Sequence, residues 1–341
     1  LRLAINGYGR IGRCFLRALY ESPLGGRFRV AAINEPSSLE SVVHLSRFDT
    51  THGVFPGSVE RGDKCLRIDG QSIPVSHART PEGIDWKALD VDLLIECSGR
   101  YKGRADFERF LAAGCPRLLL SQPGHSAHDV DLTVVYGFNH HGLDAAQRIV
   151  SNGSCTTNAV VPILDLLQRT FGVTHAFLTT LHSVMNDQPL IDGYHHADLR
   201  HTRAAMQSMI PVGTGLAQAV ERLLPQLADR VQAKALRVPV LNVSAIDLVV
   251  SLGRDASARQ VNALLASAAR ARPGLLAYSD APHASVDFNH NPHSATVDGS
   301  QTRNCGPRLV NLLVWFDNEW GFASRMLDLA EFWRHRLQQD R

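Results

Sequence analysis

The stretch Gly7-Tyr8-Gly9-Arg10-Ile11-Gly12 constrains this chain more than any other. It follows a short apolar run, Arg2-Leu3-Ala4-Ile5-Asn6, that reads as a buried strand. It leads into a helical pattern of Ile11, Phe15, Leu16 and Leu19. A G-x-G-x-x-G element says little alone, but between a strand and a helix it is the turn that cradles a dinucleotide. Gly7 there permits the tight turn, Gly9 lets a pyrophosphate reach the backbone, and Gly12 lets helix and strand pack. A second strand-like run, Arg29–Asn34, ends at Glu35. An acid at that place accepts hydrogen bonds from the adenosine ribose and repels a 2′-phosphate, so NAD is expected over NADP. A doubly wound domain that binds another nucleotide, or none, is the rival reading.

Apolar runs at 91–96, 117–121 and 132–136, with a helical pattern over 106–113, continue the alternation of strand and helix. Such alternation means a mostly parallel sheet. Ligands bind it at the carboxyl ends of the strands, where Asn6, Glu35, Ser98, Gly99 and Ser121 fall. Past Cys155 the texture changes. Longer strand-like runs at 174–182, 233–238, 243–252, 285–288 and 309–316 have fewer helices between them. They predict a mixed or antiparallel sheet covered on one face by helices. One helix starts at Ser257, which forms a capping box with Gln260. Helix returns from Asn318 onward. The polar, irregular segment 183–209 is long for a loop in a compact domain, and loops of that length are usually functional. With 341 residues the chain has room for two domains.

The second constraint is Ser151-Asn152-Gly153-Ser154-Cys155-Thr156-Thr157-Asn158. It precedes an apolar run (Val160, Val161, Ile163, Leu164, Leu166, Leu167) that predicts a helix with Pro162 in an early turn. First-turn N–H groups and the helix dipole favour a thiolate, so Cys155 is expected to have a lowered pKa and to act as a nucleophile. The alternative is a buried structural cysteine. The six cysteines are scattered, with none in a CxxC pair, which suggests neither a zinc site nor a disulfide scaffold. The sixteen histidines include His140-His141, His195-His196 and His290-Asn291-Pro292-His293. None form a helical i, i+4 pair around an acid, and no metal is expected. A net charge of +2 without a basic run argues against a nucleic-acid partner. No apolar run approaches the ~18 residues of a membrane span, and no charged-then-apolar leader is visible. The expectation is no membrane partner and a cytoplasmic location.

Over essentially its whole length the chain resembles the glyceraldehyde-3-phosphate dehydrogenase superfamily. The motifs that carry the resemblance are Asn6 to Arg13, Ser151 to Asn158, Arg237-Val238-Pro239 with Asn242-Val243-Ser244, and Trp315 to Gly321. The resemblance implies an α/β fold. A Rossmann-type doubly wound NAD-binding domain (1–153 and 318–341) would be joined to an α+β catalytic domain (154–317) with a mixed sheet. It implies a homotetramer acting on a small sugar phosphate. By position, Cys155 is the nucleophile and His182 its base. Gly7, Gly9, Arg10, Ile11, Gly12, Glu35, Arg79, Ser121 and Asn318 would hold NAD, with Asn318 on the nicotinamide carboxamide. Phe322 stands where many members have tyrosine. Ser154, Thr156, Asp187, Arg203, Thr214, Gly215 and Arg237 would handle substrate.

The chain departs from the common pattern at Met185, which replaces a threonine, and at His201 within Arg200-His201-Thr202-Arg203. Met185 removes a phosphate-binding hydroxyl, and His201 would make one phosphate ligand dependent on pH. With the segment Asp287 to Thr302, these features resemble the erythrose-4-phosphate dehydrogenase branch, while Gly215 is closer to the triose enzyme. The rival functions are a phosphorylating triose-phosphate dehydrogenase and a non-catalytic NAD-binding protein.

Overall fold

The computed structural model describes residues 1–195 and 198–339, and His196 lies outside them. The chain divides into two compact units, Leu1–Ser154 with Ala323–Arg341, and Cys155–Phe322.

The first unit is built on a sheet. Its strands lie in the order Leu132–Thr133, Ile149–Ser151, Leu118–Leu120, Leu93–Glu96, Arg2–Asn6, Arg29–Asn34, Gln71–Ser76, Cys65–Ile68 and Val59–Arg61. All pairings as far as Gln71–Ser76 are parallel, and the last two are antiparallel. Order reverses on either side of Arg2–Asn6, which creates the switch point where such sheets bind ligands. Leu3, Ala4, Ile5, Leu93, Leu94 and Ile95 are all fully buried. Successive side chains point to opposite faces, so both faces are covered, which is why these strands read as unbroken apolar runs. On one face Ala4, Leu94, Leu118 and Leu120 pack with Phe107 and Phe110 of the helix Arg104–Ala112. The C-terminal helix Trp320–Gln339 contributes Trp333, fully buried, whose indole N–H donates to the Asp144 carbonyl at 3.1 Å. Its Glu331 bonds Arg27 near the start of the chain and Arg334 on its own helix.

The second unit has a mixed sheet in the order Ile210–Val212, Val231–Arg237, Val173–His182, Ser244–Leu252, Leu309–Phe316, Ala295–Cys305 and Leu276–Ser279. The helix Cys155–Phe171 packs on it and contacts the helices Leu216–Leu223 and Ala258–Ala271. The capping box at Ser257 and Gln260 forms as the sequence predicts. Two expectations need correction. Pro162 is the eighth residue of its helix, not in an early turn. The helix tolerates it at the expense of the N–H that would meet the Asn158 carbonyl. Ser285–Phe288 is a 3₁₀ turn, not a strand. The Asp287 carboxylate accepts the Ala284 N–H at 2.8 Å, a local bond that competes with strand pairing.

Candidate active site

In the first unit the glycine turn is explained position by position. Gly7 has φ +83°, and a Cβ there would lie 2.3 Å from the Ser98 Cα. A Cβ on Gly12 would lie 2.3 Å from the Gly7 carbonyl oxygen. Gly9 differs: a Cβ there would meet no protein atom within 4 Å. The protein therefore demands glycine at 7 and 12, and leaves open space at 9. Gly9 starts the helix Arg10–Glu21 without a side-chain cap. That leaves first-turn N–H groups for an anion.

Beside the turn lies a cleft of about 220 Å³ lined by Asn6, Gly7, Gly9, Glu35, Arg79 and Tyr101, among others. The Glu35 carboxylate accepts the Tyr8 N–H at 2.9 Å and the Ser37 N–H at 3.1 Å. Two backbone donors fix its orientation, and its remaining lone pairs can take hydroxyl protons. Arg10 turns its guanidinium to Asp49. Ser121 is tied by its N–H to the Glu96 carbonyl at 3.0 Å and does not line the cleft.

Under the cleft a buried polar chain joins four strand ends. The Asn34 amide donates to Asn6 Oδ1 at 2.7 Å, and its own Oδ1 accepts Ser76 Oγ and the Ala78 N–H, each at 2.9 Å. Asn6 in turn donates to Glu96. Burial pushes the Glu96 carboxyl up to about 7, against the hydrogen bonds from Ser98 and Asn6.

In the second unit, sheet and helix bring distant residues together. The helix Cys155–Phe171 runs away from Cys155 for roughly 25 Å at 1.5 Å per residue. Gly172 ends it, its N–H on the Gln168 carbonyl at 3.1 Å. The strand Val173–His182 then returns over roughly 30 Å. Ala176, Leu178, Thr180 and His182 share its buried face. The 27-residue spacing thus closes on itself: Cys155 Sγ lies 3.7 Å from His182 Nε2. His182 Nδ1 donates to the Ser183 carbonyl at 2.8 Å, which leaves Nε2 as the acceptor facing the thiol. Arg237 stands opposite His182 in the neighbouring parallel strand. Its Nε is buried and has no hydrogen-bond partner among the described residues.

The electrostatics correct one expectation. Burial pushes the Cys155 thiol up to about 11, outweighing the Thr156 N–H and Arg237, which favour the thiolate. Burial, and then Arg237, push His182 down to about 4. The helix terminus does favour the anion, as the sequence reading holds, but desolvation is larger. Both shifts favour the uncharged forms in the free protein, so a thiol faces a neutral imidazole nitrogen that can accept a proton.

Residues 1–104 match the model for the glyceraldehyde 3-phosphate dehydrogenase NAD binding domain, and residues 154–318 the model for its C-terminal domain. The chain belongs to the glyceraldehyde-3-phosphate dehydrogenase family. It is therefore an NAD-dependent oxidoreductase of a family whose enzymes bind sugar phosphates. The open space at Gly9, the uncapped helix start and the oriented Glu35 carboxylate fit NAD. Among the described residues no helix is long and apolar enough to cross a membrane.

The other expected substrate residues are more dispersed. Thr156 and Asp187 bear electrostatically on the pair, Thr156 through its N–H on Cys155 and Asp187 on His182 and Arg237. Thr214 Oγ1 accepts the Leu216 N–H at 3.2 Å at the start of a helix that Gly215 caps. Arg203 is turned to Asp192 at 3.2 Å, with most of its side chain exposed. Ser154 closes the first unit, and Met185 is exposed. Asn318 is buried, and its Oδ1 accepts from Ser183 Oγ and Ser244 Oγ. Sequence reasoning missed this pair of hydroxyls. The signal was present in the Asn242-Val243-Ser244 motif and in the residue after His182.

Proposed function

We propose that the protein oxidises D-erythrose 4-phosphate to 4-phosphoerythronate, a step toward pyridoxal phosphate. The observation that carries the chemistry is the Cys155–His182 pair at 3.7 Å, with the buried Arg237 Nε beside it, which has no hydrogen-bond partner among the described residues. A thiol and its base attack an aldehyde, and a guanidinium with a free donor takes an oxygen of the substrate's phosphate or its acceptor. Met185, His201 and the segment 287–302 support the tetrose branch.

In this reading Cys155 attacks the aldehyde carbon as its proton moves to His182 Nε2, and a hemithioacetal forms. The Cys155 N–H and the imidazole stabilise the oxyanion. NAD supplies the hydride acceptor when bound. His182 Nε2 hands that proton on to the oxyanion to complete the hemithioacetal hydroxyl and, neutral again, takes the hydroxyl proton as the thioester forms on Cys155. Water then releases the acid.

Gly7, Gly9, Arg10, Ile11, Gly12, Glu35, Arg79, Ser121 and Asn318 serve the cofactor. Ser154, Thr156, Asp187, Arg203, Thr214, Gly215 and Arg237 serve the substrate. Residues 1–153 and 318–341 form the cofactor half and 154–317 the catalytic half of a cytoplasmic homotetramer. Gly215 favours a second reading, the phosphorylating oxidation of glyceraldehyde 3-phosphate. Comparing kcat/KM for the two aldehydes while varying inorganic phosphate separates them. The proposal requires erythrose 4-phosphate to win without need of phosphate. Preference for the triose with turnover dependent on phosphate overturns it.

A further inference from the structure

Ser279, His283 and Asp287 stand in a row on the second unit and share no residue with the Cys155 site. Ser279 is the last residue of the strand Leu276–Ser279. His283 lies on the turn that follows, and Asp287 belongs to the 3₁₀ turn Ser285–Phe288. Ser279 Oγ lies 3.0 Å from His283 Nε2, and Asp287 Oδ2 lies 3.8 Å from His283 Nδ1. A hydroxyl on one ring nitrogen and a carboxylate near the other is the arrangement in which an imidazole activates a nucleophile.

The surrounding bonds give each group its part. Ser279 Oγ accepts the Ala281 N–H at 3.2 Å, which leaves its own proton for His283 Nε2. Asp287 Oδ2 accepts the Ala284 N–H at 2.8 Å, so a backbone donor holds the carboxylate on the Nδ1 side. Its charge favours the tautomer with the proton on Nδ1, and it favours the imidazolium that forms when Nε2 takes a proton. The imidazole stands edge-on to Phe288, with ring centroids 5.1 Å apart, and buried Phe288 stacks on Trp315. A core ring thus backs the base. The other side is open, with the side chains of His283 and Asp287 34% and 48% exposed. An open site selects by reactivity and not by shape, which suits small esters with good leaving groups.

We propose that Ser279 is a second nucleophile of this protein, activated by His283 and Asp287, which takes the acyl group of small activated esters. Ser279 Oγ bonds to the acyl carbon as its proton passes to His283 Nε2, and the bond from that carbon to the leaving oxygen breaks. The leaving group departs with the proton from Nε2. Water then adds to the acyl carbon and gives a proton to Nε2, and the acid leaves as Ser279 Oγ takes that proton back. His283 touches the reacting oxygen, whereas Asp287 acts through the imidazole and is a positioning residue.

The probe is 4-nitrophenyl acetate. Rates are measured on Cys155→Ser protein, so that the thiol adds nothing, and wild type is mapped alongside. Acetylated residues are located by mass after a short exposure quenched in acid, and nitrophenol release is followed by absorbance. Ser279 should be acetylated about tenfold faster than any other serine, general-base assistance being worth about 10²–10⁴ in a closed site and less in an open one. Wild type should carry the same mark. Ser279→Ala should lose the matching part of the nitrophenol release, and His283→Gln should remove the advantage of Ser279 while the melting temperature holds. Asp287→Asn, whose amide oxygen can still accept the Ala284 N–H, should slow acetylation about threefold. That difference should close in ~1 M salt, where charges are screened beyond about 3 Å, and a merely structural role would not respond so.

Acetylation of Ser279 no faster than that of other serines overturns the proposal. So does a His283→Gln protein that acetylates Ser279 at the parent rate, which would mark an exposed hydroxyl and nothing more. An Asp287→Asn rate equal to the parent's at every salt concentration overturns the part given to Asp287.

Discussion

The dinucleotide turn and the Cys155 site are built on opposite plans. The turn works through backbone, in consecutive residues, and its glycines matter for the side chains they lack. The Cys155 site assembles side chains at 155, 182, 183, 237, 244 and 318, drawn together by a helix, a returning strand and the register of a sheet. Substitutions should therefore behave differently in the two places. In the turn, shape decides, and binding and stability can be separated residue by residue. At Cys155 protonation decides, and chemistry fails while the fold and cofactor binding persist.

Loss of the nucleophile is the sharpest way to break that contrast. Cys155→Ser should lower turnover by ~10⁴-fold or more while the NAD dissociation constant holds, because nucleophile and base act as a unit. Full activity in the variant would sink the covalent mechanism. His182→Asn comes next, with a loss of about 10²–10⁴-fold in kcat, the usual range for a general base. Retained kcat would mean that another group takes the proton.

The resting protonation states give a pH test. His182, held down to about 4, is already neutral and able to accept a proton through the neutral range. Cys155, held up to about 11, loses its proton only in alkali when no substrate is present. Alkylation of the free protein by iodoacetamide should climb with pH toward about 11 without a neutral plateau. A plateau there would reveal a resting thiolate, and the balance between desolvation and helix terminus would have to be reversed.

Within the turn, the comparison is sharpened by two valines. Gly9→Val enters space empty of protein, so melting temperature should hold while NAD affinity falls about tenfold or more, ~1.4 kcal/mol. Gly7→Val must fit against Ser98 backbone at φ +83°, and should unfold the unit at lower temperature. Equal loss of stability in both would show that the space at Gly9 is not reserved for ligand. The smallest effect is expected at Glu35. Glu35→Gln keeps the shape, removes the charge, and should narrow discrimination against NADP by a few-fold, roughly 1 kcal/mol. Titration of both dinucleotides reads it, and an unchanged ratio would show that Glu35 does not face the ribose.

The same contrast explains what the sequence reveals. The strand–glycine turn–helix unit is legible because every requirement lies within a dozen residues, and the family motifs are contiguous for the same reason. Leu309–Phe316 is read to its exact ends because its apolar run is interrupted only by Asn311. Ser285–Phe288 is misread because a side-chain bond from Asp287 outbids its apolar pattern, and composition does not show which bond wins. The Cys155 thiol is misjudged for a related reason. The helix terminus is local and visible, whereas the burial that desolvates the thiol exists only in the folded chain. The serine pair behind Asn318 depends on 61-residue and 74-residue contacts that only register can define.

The central claim is that Cys155 carries the substrate as a thioester. The most direct measurement mixes the protein with NAD and erythrose 4-phosphate, quenches in acid on the first turnover, and maps the protein by mass. An acyl adduct of the four-carbon phosphate on Cys155, formed with a burst of NADH and absent in Cys155→Ser, is the predicted result. NADH formation with no adduct at Cys155, or an adduct on another residue, would contradict the account.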